Sequence, residues 1–242
     1  MKRFLIFLPL LLLACNSGKK EKVVLSNVPL YSVALDLCDG CRYHVIVRGM
    51  GHMHSYEPSP KDQVVATSAC AFVRIKGLDE WAASWKGTVI TTPDPHFWLF
   101  RDGVEAVADS LDAVLRRCEP KRYDPENLVR FKEVVDSLFS VRMDRKVCAS
   151  SVLVQRFLSE FGIEVPCVLQ SDEFREPSPS EVQEFMKKAQ EVGIVVKDTS
   201  DALPALSEGV NLITVNLHPE YGEKYTEFLK RNVERLVRGL NR

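Results

Sequence analysis

Asp124-Pro125-Glu126-Asn127-Leu128-Val129-Arg130-Phe131-Lys132-Glu133-Val134-Val135-Asp136-Ser137-Leu138-Phe139-Ser140-Val141 is the stretch on which the fold turns. Asp124-Pro125 opens a helix, because the first turn has no use for the amide that proline lacks. Leu128, Phe131, Val134, Val135, Leu138 and Phe139 then recur at helical spacing and make one apolar stripe. Short apolar runs of strand type lie on both sides of it. Val23 to Leu25, His44 to Val47 and Phe72 to Ile75 precede it, and Val165 to Leu169, Ile194 to Val196 and Leu212 to Val215 follow. Helices alternate with these runs. Ser59-Pro60-Lys61-Asp62 and Ser178-Pro179-Ser180-Glu181 each supply a serine N-cap, a proline at the first helical position and an acid at the third. Val104, Val107, Ala108, Leu111, Val114 and Leu115 keep helical spacing, as do Tyr225, Phe228, Leu229, Leu236 and Val237 near the end. Strands separated by helices pair in parallel. The pattern predicts an α/β chain of two lobes of β/α units, each with a parallel sheet, joined by one long helix. The boundaries fall at 23–122 for the N-terminal lobe, 123–143 for the connecting helix and 144–242 for the C-terminal lobe. In such sheets ligands bind beyond the carboxyl ends of the strands.

Composition narrows the function. The 242 residues are 45% hydrophobic and 27% charged, which excludes a disordered tail and a polytopic membrane protein. Thirty-two basic residues against 33 acidic ones give a net charge of −1, so no basic field exists to hold a nucleic acid. A chain of this length buries a core without a metal staple, so a metal site would be functional. At the N-terminus, Lys2 and Arg3 precede an apolar run from Phe4 to Ala14 that contains Pro9. A bilayer span needs about 20 apolar residues, so this run is a secretory signal. Leu12-Leu13-Ala14-Cys15 resembles the lipobox of bacterial lipoproteins. That resemblance implies a signal peptide over 1–14, acylation of Cys15, a tether over 15–22, and an extracytoplasmic, lipid-anchored location in the cell envelope. The other cysteines are Cys38, Cys41, Cys70, Cys118, Cys148 and Cys167. Cys38-Asp39-Gly40-Cys41 reads as a local disulfide or as two thiols around an Asp-Gly turn, with a thiol-redox role as an alternative. The remaining four read as small buried hydrophobes.

His44 lies inside a strand run, whereas His52, His54, His96 and His218 sit in loops between elements. Histidines gathered at strand ends point to metal, for which imidazole is a common ligand. His54-Ser55-Tyr56-Glu57-Pro58-Ser59-Pro60-Lys61-Asp62 resembles the first ligand motif of the zinc and manganese solute-binding proteins of ABC importers, the cluster A-I metal-binding lipoproteins. Gly77-Leu78-Asp79-Glu80-Trp81, Asp94-Pro95-His96-Phe97-Trp98-Leu99 and Glu176-Pro177-Ser178-Pro179 are similar to later motifs of that family. The resemblance runs from Val23 to the C-terminus. It implies two α/β lobes joined by a long rigid helix, with His54 and His96 as the first two ligands.

This sequence departs from the family at the other two. Counting back from Phe161-Gly162-Ile163 puts Ser151 where the family carries a third, histidine ligand. Leu217-His218-Pro219 occupies the place of its Leu-Asp-Pro, so His218 stands for a carboxylate. The implied set is His54, His96 and His218, with His52, Ser151 or a water completing it. Three imidazoles suit Zn²⁺ better than Mn²⁺, whose hardness favours oxygen. Loss of the carboxylate should also remove negative charge and weaken the attraction for a dication. The implied protein is a monomeric carrier that delivers the metal to an ABC permease and its ATPase, and is not an enzyme. No G-x-S-x-G elbow, Walker A loop or Rossmann glycine run is present. The alternatives are a chain of this fold that has lost metal transport, and a redox lipoprotein using Cys38 and Cys41.

Overall fold

The computed structural model describes residues 23–49, 56–171 and 175–241. Cys15, His52 and His54 therefore lie outside the described residues. The first half runs β1 (Val23–Asn27), α1 (Val28–Leu37), β2 (Tyr43–Val47), α2 (Pro60–Ser68), β3 (Ala71–Ile75), β4 (Thr88–Ile90) and α3 (Arg101–Cys118). Helix α4 (Glu126–Phe139) follows. The second half runs β5 (Lys146–Ser151), α5 (Val152–Ser159), β6 (Glu164–Gln170), α6 (Pro179–Val192), β7 (Ile194–Asp198), β8 (Asn211–Val215) and α7 (Tyr225–Leu240).

Eight strands form two wholly parallel sheets, ordered β2-β1-β3-β4 and β6-β5-β7-β8. The second sheet repeats the order of the first, so the expected α/β architecture of two parallel-sheet lobes is present. Every residue of β1 and β3 is buried, as strands covered on both faces by helices must be. In each sheet the order reverses between its first and third strands. The crevices beyond β1 and β3, and beyond β5 and β7, are thus where a ligand is expected.

The six strand runs and five helices read from the sequence are all present; β4, β5, α1 and α5 are additions to that reading. Helix α4 differs in its details. Its helical residues begin after Pro125, with the Asp124 carboxylate accepting the Glu126 amide at 3.0 Å. Phe131, Val135 and Phe139 are buried, four residues apart, whereas Val134 is 44% exposed. The stripe is narrower than expected because α4 packs against the curved backs of α1, α3 and α7 rather than a flat sheet. Lys132 pairs with Asp109 at 2.7 Å and Asp136 pairs with Arg101, tying α4 to α3. Helix α7 covers β8 and reaches back to the first half, where Thr226 donates its amide and hydroxyl to Asp36 of α1 at 2.9 and 2.7 Å.

The cysteines correct the sequence reading. Cys70 bonds to Cys118 and Cys148 to Cys167, in addition to Cys38 with Cys41. Cys148 and Cys167 are register partners on adjacent strands, and Cys70 precedes β3 where α3 ends at Cys118. Cys38 lies at the carboxyl end of α1, and Cys38 and Cys41 are 3% and 8% exposed. Thiol exchange needs access to the sulfurs, and burial at the carboxyl end of a helix suits a staple better than a redox centre.

The Cys70–Cys118 bridge closes a loop of sequence separation 48, worth about 4 kcal/mol by loop entropy. A Cys70→Ser/Cys118→Ser variant should lose stability on that scale in urea unfolding. A loss under about 1 kcal/mol would mean that the bridge constrains little of the unfolded chain.

Candidate metal centre

His96 is placed by its own loop. Pro93 and Pro95 restrict the backbone on either side of Asp94, and the Thr92 hydroxyl donates to the Asp94 carbonyl at 2.7 Å. Asp94 Oδ1 accepts the His96 amide at 2.8 Å and lies 3.2 Å from His96 Nδ1. Its other oxygen accepts from Arg156 Nη1 of α5 at 2.8 Å. An imidazole that donates from Nδ1 to a carboxylate keeps its lone pair on Nε2, the arrangement behind metal-binding histidines. His96 is 6% exposed and sits edge-on to Trp98, with ring centroids 5.2 Å apart. Phe97, Trp98 and Leu99 form a buried 3₁₀ turn. Gly103 lets α3 approach that turn, since a Cβ there would meet the Phe97 carbonyl at 2.8 Å.

His218 follows β8 in a loop held by side chains. Asn232 accepts the Asn216 amide at 2.9 Å and donates to its carbonyl at 2.7 Å. Asp198, at the end of β7, accepts the Leu217 amide at 2.7 Å and the Ser200 amide at 3.1 Å. The His218 Nε2 lies 3.7 Å from Asp198, beyond hydrogen-bond length. Its Nδ1 is buried with no hydrogen-bond partner among the described residues. A buried polar atom of that kind calls for a partner, and histidine is the commonest protein ligand of metals. Burial pushes the His218 imidazole below its ordinary value, against the opposing pull of Asp198 and Asp201. The ring is therefore neutral at pH 7, the form that ligates.

Trp98 brings the two loops together. Its indole Nε1 donates to the Leu217 carbonyl at 2.8 Å, and its own carbonyl accepts the Tyr225 hydroxyl at 2.9 Å. Trp98 and Tyr225 are both 0% exposed. His96 lies two residues before the donor and His218 one residue after the acceptor.

Ser151 ends β5, and its hydroxyl donates to Asp201 Oδ2 at 2.9 Å, as does that of Ser150. Lys197 holds the Asp201 carbonyl at 2.8 Å. Asp198 and Asp201 thus return carboxylates to the side where His218 stands. Asp198 and Asp201, which the sequence reading missed, are negative charges beside His218 that add to the charge balance set by the Asp-to-His exchange. An acid two residues past the apolar run Ile194 to Val196 is the signal that could have found Asp198. His44 lies half-buried near the amino end of β2, away from the carboxyl end of the strand. Among the described residues no three His, Cys, Asp or Glu side chains are grouped closely enough to hold a metal ion. Of the four expected histidines, His96 and His218 lie among the described residues, and His52 and His54 fall in the 50–55 stretch.

No family model matches this chain, and neither does any curated protein sequence. Solved structures do match. The solute-binding protein FpvC of Pseudomonas aeruginosa, in complex with Mn²⁺, aligns at a TM-score of 0.71 and 20% identity, over 92% of this chain and 99% of that one. Laminin-binding protein Lmb of Streptococcus agalactiae, described as a bifunctional adhesin with metal transporting activity, aligns at 0.70 and 21%, over 91% and 99%. AdcAII of Streptococcus pneumoniae aligns at 0.70 and 22%, over 92% and 100%. The chain has the fold of these proteins along nearly its whole described length.

Trp98→Phe should keep an aromatic ring in place, orphan the buried Leu217 carbonyl and leave a cavity where the rest of the indole packed. The expected cost is at least about 1–3 kcal/mol in thermal or urea unfolding, and an unchanged midpoint would show that the bond contributes nothing net.

Proposed function

We propose that this chain is an extracytoplasmic solute-binding lipoprotein that captures a divalent transition metal between its lobes and delivers it to an ABC importer. The observation that carries this is the junction at Trp98 and Leu217, which sets a histidine loop from each half side by side beyond the strand ends. The ligands are His54, His96 and His218. His52 or a water completes the set, and Ser151 remains the alternative donor from the end of β5. All the assigned side-chain donors except Ser151 are imidazoles, which favours Zn²⁺ over Mn²⁺. Cys15 carries the lipid, and the permease with its ATPase supplies the energy, since no phosphate-binding glycine loop stands in the sequence. Nothing in this reading requires bond-making chemistry, and the chain acts as a carrier rather than an enzyme. The shared fold with FpvC and Lmb supports it.

Titration of the apo protein with each metal tests the site. One Zn²⁺ should bind more tightly than Mn²⁺, and affinity should fall as pH drops and the imidazoles protonate, His218 at a lower pH than the ~6.5 of a free imidazole. His218→Ala should lose most of the zinc affinity and His44→Ala none. His218→Asp should recover part of it, with a relative shift toward Mn²⁺. Equal zinc binding by His218→Ala and the parent would remove the ligand from the second lobe and, with it, capture between lobes.

The anchor has its own test. Cys15→Ser should move the protein out of the membrane fraction, because stable anchoring needs the acyl chains on that cysteine. Unchanged fractionation would end the lipoprotein reading.

A further inference from the structure

Arg156 is the residue that the sequence motifs do not explain. It projects from α5, the helix that follows Ser151, and its Nη1 donates at 2.8 Å to Asp94 on the loop of the other half. Asp94 spends its second oxygen on the amide and Nδ1 of His96, at 2.8 and 3.2 Å. Arginine, carboxylate and imidazole therefore form one line of charge-assisted contacts that begins in the second lobe and ends on a candidate ligand of the first.

As a stabilising contact the pair has little to offer. The Arg156 and Asp94 side chains are 42% and 24% exposed, and both line a surface cavity of about 530 Å³. Ion pairs this open are worth about 0–1 kcal/mol. Their geometric effect is larger. A carboxylate held from one side by a guanidinium presents its other oxygen in a fixed direction, and that oxygen selects which imidazole nitrogen keeps the proton. Without Arg156, only the His96 amide and ring hold the Asp94 carboxylate, which can rotate about that contact, and the ring can then place its proton on Nε2, the nitrogen a metal needs bare.

We propose that Arg156 is a positioning residue that reaches across the lobes to hold Asp94, and through it fixes His96 as the Nδ1–H tautomer with Nε2 ready for the metal. This rests on the reading of His96 as a ligand. It makes the alignment of a first-lobe donor depend on the docking of the second lobe.

The test uses the full chain in detergent, with Arg156→Met, Arg156→Lys and His96→Ala variants. Long-range ¹H–¹⁵N correlation spectra of the apo protein near pH 8, well above the ~6.5 of free imidazole, report the His96 tautomer without any metal. The parent should show Nδ1–H alone, Arg156→Met a mixture of tautomers, and Arg156→Lys a state closer to the parent. Zinc titration should then show a loss of about ten- to a hundredfold for Arg156→Met, the usual effect of removing a group behind a ligand. Arg156→Lys should recover part of it. In the His96→Ala background Arg156→Met should have no further effect. An unchanged tautomer in Arg156→Met, or an equal loss of affinity with and without His96, would overturn the proposal. If His96→Ala binds zinc like the parent, the ligand reading fails instead, and the apo spectra still decide whether Arg156 orients His96.

Discussion

The bond from the Trp98 indole to the Leu217 carbonyl is the constraint from which the rest of the site follows. A buried indole N–H must find an acceptor, and leaving either partner unpaired costs about 1–3 kcal/mol. Trp98 is fully buried, so its hydrogen bond to a main-chain carbonyl of the other half fixes one loop against the other in register as well as distance. Tyr225 adds a second tie by donating to the Trp98 carbonyl from the first residue of α7. Its neighbour Thr226 binds Asp36 of α1. The last helix is thereby fastened to the first half at the point where the two histidine loops meet. A shift of one lobe against the other would have to break these bonds in a dry interior. Small displacements of His96 and His218 against each other are correspondingly costly.

Much of the fold was legible because buried parallel strands are continuous apolar runs. Val23 to Leu25 and Phe72 to Ile75 could be read without knowing their neighbours. β5 could not: it begins at Lys146 and ends in Ala149-Ser150-Ser151, small and polar residues that make sense only at a strand end facing a crevice. β4 has three residues, too few to show a period. Helix α1 is apolar nearly all round because it packs on a sheet, on α3 and on α7, so it carries no polar face to mark it. Capped helices were the reverse case. The boxes at Ser59 with Asp62 and at Ser178 with Glu181 form as the local residues dictate. The cysteine pairs lay at separations of 48 and 19, and only the tertiary fold brings those partners together.

The candidate site divides along the same line. His96 was legible because its motif is contiguous and its partner Asp94 is two residues away. Asp198 and Asp201 were not, because what makes them relevant is the neighbouring strand. The β7 end points them at the serines of β5 and at the loop after β8, a relation fixed by strand order. Arg156 was invisible for a similar reason: its partner stands 62 residues earlier on the other half.

These carboxylates also bear on which ion such a site would prefer. Asp198 is 2% exposed, and its two oxygens already accept amides from Leu217 and Ser200. Asp201 accepts two serine hydroxyls. The Asp198 oxygens, engaged in this way, act best as fixed charge behind the donors rather than as donors themselves, whereas both serines share the one oxygen Oδ2 of Asp201. A metal site so built would attract a dication through its surroundings while offering imidazole nitrogen at close range. With imidazoles as the donors, nitrogen at close range would favour borderline metals over manganese, and the carboxylates behind it would add to the attraction for a dication.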